Sequence, residues 1–224
     1  MSRWRHLVFD LDGTLLHTLP DLTGSLNTVL KKYHCQELSE TEVKELIGEG
    51  SINLVQRALS LRKFNHETAW ENENLQPIHR EFLETYRQNM TQKTRPYPGV
   101  NELLADWSKN GWQIFIISNK PHDMTEYLCH YYHFDQWSKK SIGAGEFSLK
   151  PEPGVMLHLQ SQFGLSWDET LFVGDGTADM ELAQRLNIDK IACLYGYTAQ
   201  EHLMNYQPLY AIHNFSTLQS IIKS

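Results

Sequence analysis

The chain has 224 residues, which is enough for one large domain, or for one domain with an insert, and for a full hydrophobic core. Its 20 basic and 27 acidic residues give a net charge of −7, so it lacks the basic surface that a nucleic-acid partner requires. The longest apolar runs fall far short of the roughly 20 residues that cross a membrane, so we expect no membrane span.

The N-terminus and the cysteines indicate a cellular compartment. The first apolar run is short and ends at Asp10, which is the wrong shape for a secretory signal peptide. The cysteines Cys35, Cys129 and Cys193 are far apart and form no Cys-x-x-Cys pair, which favours reduced thiols over disulfides or a thiolate metal site. We therefore expect a cytoplasmic protein.

The first third of the chain changes from one apolar pattern to another. Residues 7–11 form a compact apolar run followed by acidic residues and glycine, which predicts a buried strand that opens into a loop. After Pro20 the apolar residues recur at helical spacing to about Met90, and Arg95–Gly99 then breaks the pattern with two prolines and a glycine. We interpret residues 18–90 as an all-helical cap, and residues 1–17 with 91–224 as an α/β core.

Strand-like and helix-like segments alternate beyond that break. We predict helices at 100–110, 123–132, 154–163, 178–186 and 215–222, and strands at 112–117, 140–142, 170–173, 190–194 and 210–212. Such alternation predicts an α/β fold with a doubly wound, mostly parallel sheet of the Rossmann-like type. Ligands of these sheets lie outside the carboxyl ends of the strands, so an insert entered after the first strand would form a lid over the site.

Polar residues are concentrated at four predicted strand ends or helix starts. These segments are Asp10–Leu15, Ile117–Asn119, Lys150–Pro151 and Val173–Asp179. The first and last each contain a pair of carboxylates, whose mutual repulsion is tolerable only with a cation among them, and oxygen ligands favour Mg²⁺. The serine hydroxyl and the lysine of the other two segments supply donors for an anion that the metal also holds, which describes a phosphoryl group.

In this order, the four segments resemble the signature motifs of the haloacid dehalogenase superfamily of phosphohydrolases. The family pattern is Asp-x-Asp-x-Thr, then a strand-end Ser or Thr, then a Lys, then an acidic pair in a Gly-Asp context. The resemblance implies that Asp10 is the nucleophile that forms an aspartyl phosphate. It implies that Asp12 protonates the leaving group and then deprotonates the attacking water.

The same resemblance implies a set of groups that bind the phosphoryl oxygens. They are the side chains of Ser118 and Lys150 and the backbone amides around Gly13, Thr14 and Asn119. Taken singly, the lysine would be interpreted as a solvated side chain and the serine as a helix N-cap. The coincidence of four motifs favours the catalytic interpretation.

The resemblance also implies a Mg²⁺ site built from the acidic residues. Asp175, an oxygen of Asp10 and the backbone carbonyl of Asp12 would ligate the metal, and water would fill the other positions. Asp179 would act at this shell or just outside it.

The helical insert resembles the cap of the family branch that contains phosphoglycolate phosphatases, pyrophosphatases, phosphonatases and β-phosphoglucomutases. Three segments resemble phosphoglycolate phosphatase-like members: Pro20–Leu22, the Gly-x-Gly loop with its helix at 47–59, and Tyr97–Val100. A mutase would have Arg and His where Ser51 and Leu22 stand, and a phosphonatase would need a cap lysine that residues 48–59 lack.

These observations predict a Mg²⁺-dependent hydrolase of phosphomonoesters that acts on a small phosphorylated metabolite, most similar to phosphoglycolate phosphatase. The alternative is a pyrophosphatase or a nucleotide or sugar-phosphate phosphatase of the same family. A second alternative is a non-catalytic phosphometabolite-binding or regulatory protein on the same scaffold. The oligomeric state is left open.

Several cap residues are candidates for substrate contacts. The carboxylate of 2-phosphoglycolate would need donors such as the backbone amide of Gly50 or the side chain of Arg57. Ser51, Asn53 and the neighbouring Glu49 would face the leaving group. At the domain crossover, the histidine at position 17 is interpreted either as part of the substrate mouth or as a surface residue beside the hinge.

Overall fold

The computed structural model describes residues 3–61, 72–145 and 147–223. The chain divides into two compact units, residues 1–17 with 96–224, and residues 18–95. Residues 62–71 of the predicted helical cap lie outside the described residues.

The described strands are β1 (His6–Phe9), β2 (Leu16–His17), β3 (Arg95–Pro96), β4 (Gln113–Pro121), β5 (Lys140–Ala144), β6 (Thr170–Gly174), β7 (Asp189–Cys193) and β8 (Tyr210–Ile212). Six of them form one sheet in the order β5-β4-β1-β6-β7-β8, while β2 pairs with β3 in a separate two-stranded sheet. Each neighbouring pair in the six-stranded sheet is parallel. The predicted α/β fold with a parallel, doubly wound sheet is confirmed.

The described α-helices are α1 (Leu19–Lys32), α2 (Glu40–Lys44), α3 (Ser51–Leu61), α4 (Asn72–Asn89), α5 (Val100–Lys109), α6 (His122–Tyr131), α7 (Gly154–Phe163), α8 (Thr177–Arg185), α9 (Gln200–Met204) and α10 (Leu218–Lys223). No helix in the described parts of the chain combines the length and apolar character that a membrane crossing requires.

Strand β1 lies in the middle of the sheet, between β4 and β6. All four of its residues are buried, which explains why its sequence is an apolar run rather than an alternating pattern. Phe9 is in register with Ile116 of β4 and Val173 of β6. Because these strands are parallel, their carboxyl ends lie at the same edge of the sheet.

Helices cover both faces of the sheet. On one face, the buried side chains of Val8, Phe115 and Phe172 belong to a cluster that includes residues of α7 and α8. On the other face, Phe9 stacks on Trp107 of α5 at a centroid distance of 6.0 Å. Because consecutive β1 residues point to opposite faces, this strand contributes to both halves of the core.

Strand β4 extends four residues beyond its predicted end at Ile117. Its pairing with β5 changes register at this point: Ile117 pairs with Ile142, but Pro121 pairs with Ala144. Two more residues lie on β4 than on β5 between these pairs, which is a local irregularity of the bulge type. The sequence pattern ended at Ile117 because polar residues follow it there.

The helical unit has a buried carboxylate that joins distant parts of its chain. Asp21, in the first turn of α1, accepts hydrogen bonds from the backbone amides of Lys93 and Thr94 and from the Thr94 hydroxyl, at 2.8 to 3.0 Å. Hydrogen bonds to a charged acceptor are among the stronger ones in proteins. They fix the start of α1 against the residues that follow α4.

Candidate active site

Three carboxylates meet at the carboxyl edge of the sheet. Asp10 follows β1, Asp175 follows β6, and Asp179 lies in the first turn of α8. One oxygen atom from each lies within 4.8 Å of those of the other two, and all three residues are buried. The first and last of the predicted motif segments are therefore adjacent in space.

A buried lysine lies among these carboxylates. The Nζ atom of Lys150 is 2.5 Å from Oδ1 of Asp10 and 2.7 Å from Oδ1 of Asp179, and it donates to the carbonyl of Ile117 at 3.0 Å. The Asn119 side chain holds the Lys150 backbone: its amide nitrogen donates to the Lys150 carbonyl at 3.0 Å, and its oxygen accepts from the Lys150 amide at 2.8 Å. Asn119 thus helps to aim Lys150 into the cluster.

The charges in this cluster are unbalanced. Burial raises the pKa of Asp10 well above its ordinary value, Lys150 opposes that effect, and Asp179 and Asp175 reinforce it. Burial and the charge of Asp179 raise the pKa of Asp175 to about 7. Burial would lower the pKa of Lys150, but the charges of Asp10 and Asp179 outweigh it, and the net shift is upward. Three carboxylates facing one ammonium group leave excess negative charge in a buried site.

A divalent cation fits this donor set. The available ligand atoms are carboxylate oxygens, which hard cations prefer, and they are already gathered within one small volume. A dipositive ion would offset the like-charge repulsion that raises the pKa of Asp175. The four motif segments resemble those of haloacid dehalogenase-type phosphatases, and these enzymes generally use a divalent metal.

The side chain of Asp175 is held on several sides. Its Oδ1 accepts a hydrogen bond from the Thr14 hydroxyl and its Oδ2 accepts one from the Tyr197 backbone amide, each at 2.7 Å. A Cβ atom on either Gly13 or Gly196 would overlap the Asp175 side chain. Both glycines are therefore required for the close approach of backbone to carboxylate, and Gly13 also has a positive φ of 87°.

Tyr195 contacts Thr14, the residue whose hydroxyl holds Asp175. Its hydroxyl donates to the backbone carbonyl of Thr14 at 2.9 Å, and its ring meets that of Tyr97 edge to face at 4.7 Å. Burial raises the pKa of both tyrosines, so both hydroxyls remain protonated donors. The segment Tyr195–Tyr197 is not among the site residues predicted from the sequence. The available signal was its position directly after a predicted strand.

The backbone amides of Gly13 and Thr14 have hydrogen-bond partners within the loop after β1. The Gly13 amide donates to the Leu16 carbonyl at 2.8 Å, and the Thr14 amide donates to the Leu11 carbonyl at 3.4 Å. These two amides therefore have partners within the loop, and their binding of phosphoryl oxygens stays a prediction. Such pairing depends on loop conformation, which residue types alone do not specify.

Ser118 and Asp12 both contact Lys120. Ser118 is buried, and its hydroxyl oxygen accepts a hydrogen bond from the Lys120 amide at 3.2 Å. The Nζ atom of Lys120 lies 3.2 Å from Oδ2 of Asp12. Lys120 is not among the site residues predicted from the sequence, although its spacing of two from Ser118 near a strand end is a usable signal.

Two candidate substrate-contact residues of the helical unit, Ser51 and Arg57, have partners inside that unit. Ser51 Oγ lies 2.8 Å from Nε2 of His79. The guanidinium group of Arg57 donates to the carbonyls of Glu45 at 2.9 Å and Leu46 at 3.5 Å. Arg57 thus ties α3 to the end of the preceding helix, so its expected contact with a substrate carboxylate would have to compete with these bonds.

Two other predicted substrate-contact residues also have intramolecular partners. The Asn53 side chain donates to the Glu49 carbonyl at 2.8 Å. His17 lies against two aromatic rings, and its Nδ1 is 3.5 Å from the Tyr97 hydroxyl.

Comparison with known proteins decides the family. Residues 7–193 match the family described as haloacid dehalogenase-like hydrolase. The chain belongs to the haloacid dehalogenase-like hydrolases. The family resemblance inferred from the four motifs is confirmed, and the chain is a hydrolase.

The relatives of this hydrolase cover almost its whole length. It is 28% identical to a phosphoglycolate phosphatase from Mannheimia succiniciproducens, over 99% of both chains. It is 30% identical to a phosphoglycolate phosphatase from Mesorhizobium japonicum, over 95% of this chain and 92% of that one. A crystal structure described as a predicted phosphoglycolate phosphatase from Haemophilus somnus 129pt matches with a TM-score of 0.92 and 28% identity, over 99% of both chains. The hydrolase is therefore phosphoglycolate phosphatase-like.

Proposed function

We propose that this hydrolase cleaves phosphomonoesters of small metabolites through an aspartyl phosphate on Asp10. The observation that carries the proposal is the contact of 2.5 Å between Asp10 and the buried ammonium group of Lys150, inside an acidic cluster at the end of the central strand. The substrate we propose first is 2-phosphoglycolate, because the similar relatives named for that activity span nearly the whole chain.

Asp10 would act as the nucleophile. A carboxylate oxygen of Asp10 forms a bond to phosphorus, and the bond between phosphorus and the ester oxygen breaks. Lys150 supports this step because its positive charge reduces the repulsion between the carboxylate and the phosphoryl oxygens. Ser118 and the backbone amides around Gly13, Thr14 and Asn119 would hold the same phosphoryl oxygens.

Asp12 would move protons in both halves of the reaction. It donates a proton to the departing ester oxygen, so that the alcohol leaves in its neutral form. It then takes a proton from the water that attacks the aspartyl phosphate. This second step releases inorganic phosphate and restores the carboxylate of Asp10.

We propose Mg²⁺ as the metal, held by Asp10, Asp175 and the backbone carbonyl of Asp12, with Asp179 at or beside the metal shell. The support is the donor set, which consists of oxygen atoms and carries excess negative charge. When bound, the ion would neutralise phosphoryl oxygens and position them. Thr14 and Tyr197 contribute by fixing the two oxygens of Asp175.

The test of this function is a hydrolysis panel with the purified protein. It should include 2-phosphoglycolate, inorganic pyrophosphate, nucleoside monophosphates, sugar phosphates and p-nitrophenyl phosphate, each with Mg²⁺ and with a chelator. We expect phosphate release that requires the metal and the highest kcat/KM for 2-phosphoglycolate. Preference for another ester would overturn the substrate assignment, and absence of hydrolysis across the panel would overturn the enzymatic one.

We also propose that the protein acts in the cytosol. The support is that its three cysteines, Cys35, Cys129 and Cys193, are free thiols, as is usual in a reducing compartment. Burial raises the pKa of Cys129 to about 12, so this thiol stays protonated. Fractionation of cells that express a tagged chain would test the compartment.

A further inference from the structure

A second buried lysine has a carboxylate partner of its own in this site. The Nζ atom of Lys120 lies 3.2 Å from Oδ2 of Asp12, and only 4% of the Lys120 side chain and 14% of the Asp12 side chain are exposed. The other lysine, Lys150, contacts Asp10 and Asp179 instead. The ammonium groups of the two lysines therefore contact different carboxylates.

The backbone of Lys120 is fixed where β4 changes register. Its amide donates to the hydroxyl of Ser118 at 3.2 Å, and its carbonyl accepts from the Thr125 hydroxyl at 3.3 Å. A Cβ atom on Gly143 would collide with the same carbonyl, so β5 packs closely against it. Irregularities of this type re-aim side chains at strand ends. Here the irregularity accompanies a lysine whose side chain reaches the loop after β1.

The two oxygens of the Asp12 carboxylate have different surroundings. Oδ2 faces the ammonium group of Lys120. Oδ1 is buried and has no hydrogen-bond partner among the described residues. A buried polar atom without a partner is costly, and such atoms in native structures call for an explanation.

We propose that Lys120 is a positioning residue for Asp12. It holds Oδ2 and so leaves Oδ1 as the atom that exchanges a proton with the leaving group and with water. This inference rests on the proposed function, in which Asp12 moves those protons. A carboxylate without this anchor would turn about its terminal bond, and proton transfer would lose the orientation on which its rate depends.

The inference makes a prediction that depends on the leaving group. An alkyl phosphate releases a strongly basic alkoxide and needs the proton from Asp12, whereas p-nitrophenyl phosphate releases a weakly basic phenolate that leaves without it. The parameter kcat/KM reports steps up to the first irreversible one, which here is formation of the aspartyl phosphate. Misplacing Asp12 should therefore lower kcat/KM for the alkyl ester selectively. A general structural defect would lower both values alike.

The experiment compares variants on two esters, 2-phosphoglycolate (or the best alkyl phosphate of the panel) and p-nitrophenyl phosphate. For Lys120→Met we expect kcat/KM to fall about a hundredfold on the alkyl ester and by less than about threefold on the aryl ester. Lys120→Arg should recover part of the loss, because it restores a cation near Oδ2. Asp12→Asn should show the same selectivity for the leaving group. Lys190→Met removes a half-buried lysine at the other end of the sheet and should leave both values unchanged.

Equal losses on both esters, or a rise in KM alone, would overturn the positioning role and indicate a structural or substrate-binding lysine. If Lys120→Met does not fold by circular dichroism, Lys120→Gln provides the same comparison with a neutral donor. Failure of the proposed function gives a different result. In that case wild type hydrolyses neither ester, or Asp12→Asn lowers kcat/KM equally on the two esters, and the inference falls with it.

Discussion

The hydroxyl of Tyr195 donates a hydrogen bond to the backbone carbonyl of Thr14 at 2.9 Å, although the two residues are 181 positions apart. The Thr14 hydroxyl in turn donates to Asp175. A residue after β7 thus supports the loop after β1, which supports a proposed metal ligand after β6. This link of two hydrogen bonds connects the segments that follow strands β7, β1 and β6.

This link predicts that Tyr195→Phe weakens metal binding. The substitution removes only the hydroxyl and keeps the ring against Tyr97. Loss of one neutral hydrogen bond costs about 1 kcal/mol, which is about fivefold in Mg²⁺ affinity if the whole cost is transmitted to Asp175. Binding can be measured without substrate from the rise in melting temperature with metal concentration. Tyr210→Phe, at a 45% exposed tyrosine, is the control, and equal affinity of the two variants would argue against the link.

A larger effect is expected for Gly196→Ala. The added Cβ would overlap the side chain of Asp175, so the carboxylate would have to move from the position that Thr14 and Tyr197 define. We expect loss of metal-dependent stabilisation and of turnover together. Gly154→Ala in α7, where a Cβ meets no atom within 4 Å, should preserve both. A fully active Gly196→Ala protein would show that the carboxylate position is not critical.

The raised pKa of Asp175 predicts how stability depends on pH in the metal-free protein. Its carboxyl has a pKa of about 7 in the folded state and about 3.9 in the unfolded state. Between these values the folded state binds more protons, so this residue's contribution to stability falls as pH rises from about 4 to about 7. Urea unfolding at several pH values in a chelator should show a smaller decline for Asp175→Asn than for wild type. Parallel curves would contradict the charge imbalance in the cluster.

The helical unit has its own stability test at Asp21. Removing this carboxylate leaves the buried Thr94 amide and hydroxyl without their acceptor. Asp21→Ala should therefore lower the free energy of unfolding by about 3 kcal/mol. Glu84→Ala, at an exposed position of α4, should change it by less than about 0.5 kcal/mol. A cost for Asp21→Ala as small as that of the control would show that other groups fix the start of α1.

The sheet and the clustering of the motifs could be predicted because they follow from local patterns. Buried parallel strands are apolar runs, and polar residues at their carboxyl ends meet at one edge. The predicted bounds of α7 and β8 agree with the structure, and most other bounds differ by one or two residues. These features depend on the order of residue types along the chain, so a single sequence contains the required information.

The missed features depend on backbone geometry that residue types do not encode. Lys120 lies within an irregularity in β4, and the sequence pattern contains no signal for a change of register. Tyr195 acts on Thr14 through a hydroxyl that could equally have faced solvent. The Gly13 amide is paired inside its own loop, which only the loop conformation determines. Side-chain partners across 100 or more residues require the assembled fold.

The most direct test of the account is the turnover of Asp10→Asn with the preferred phosphomonoester and Mg²⁺. The substitution keeps the size of the side chain and removes the nucleophilic oxygen charge, so the fold measured by circular dichroism should be preserved. We expect kcat to fall at least about 10⁴-fold, because the nucleophile is lost. A well-folded Asp10→Asn protein that retains turnover within about tenfold of wild type would contradict the central role of this carboxylate.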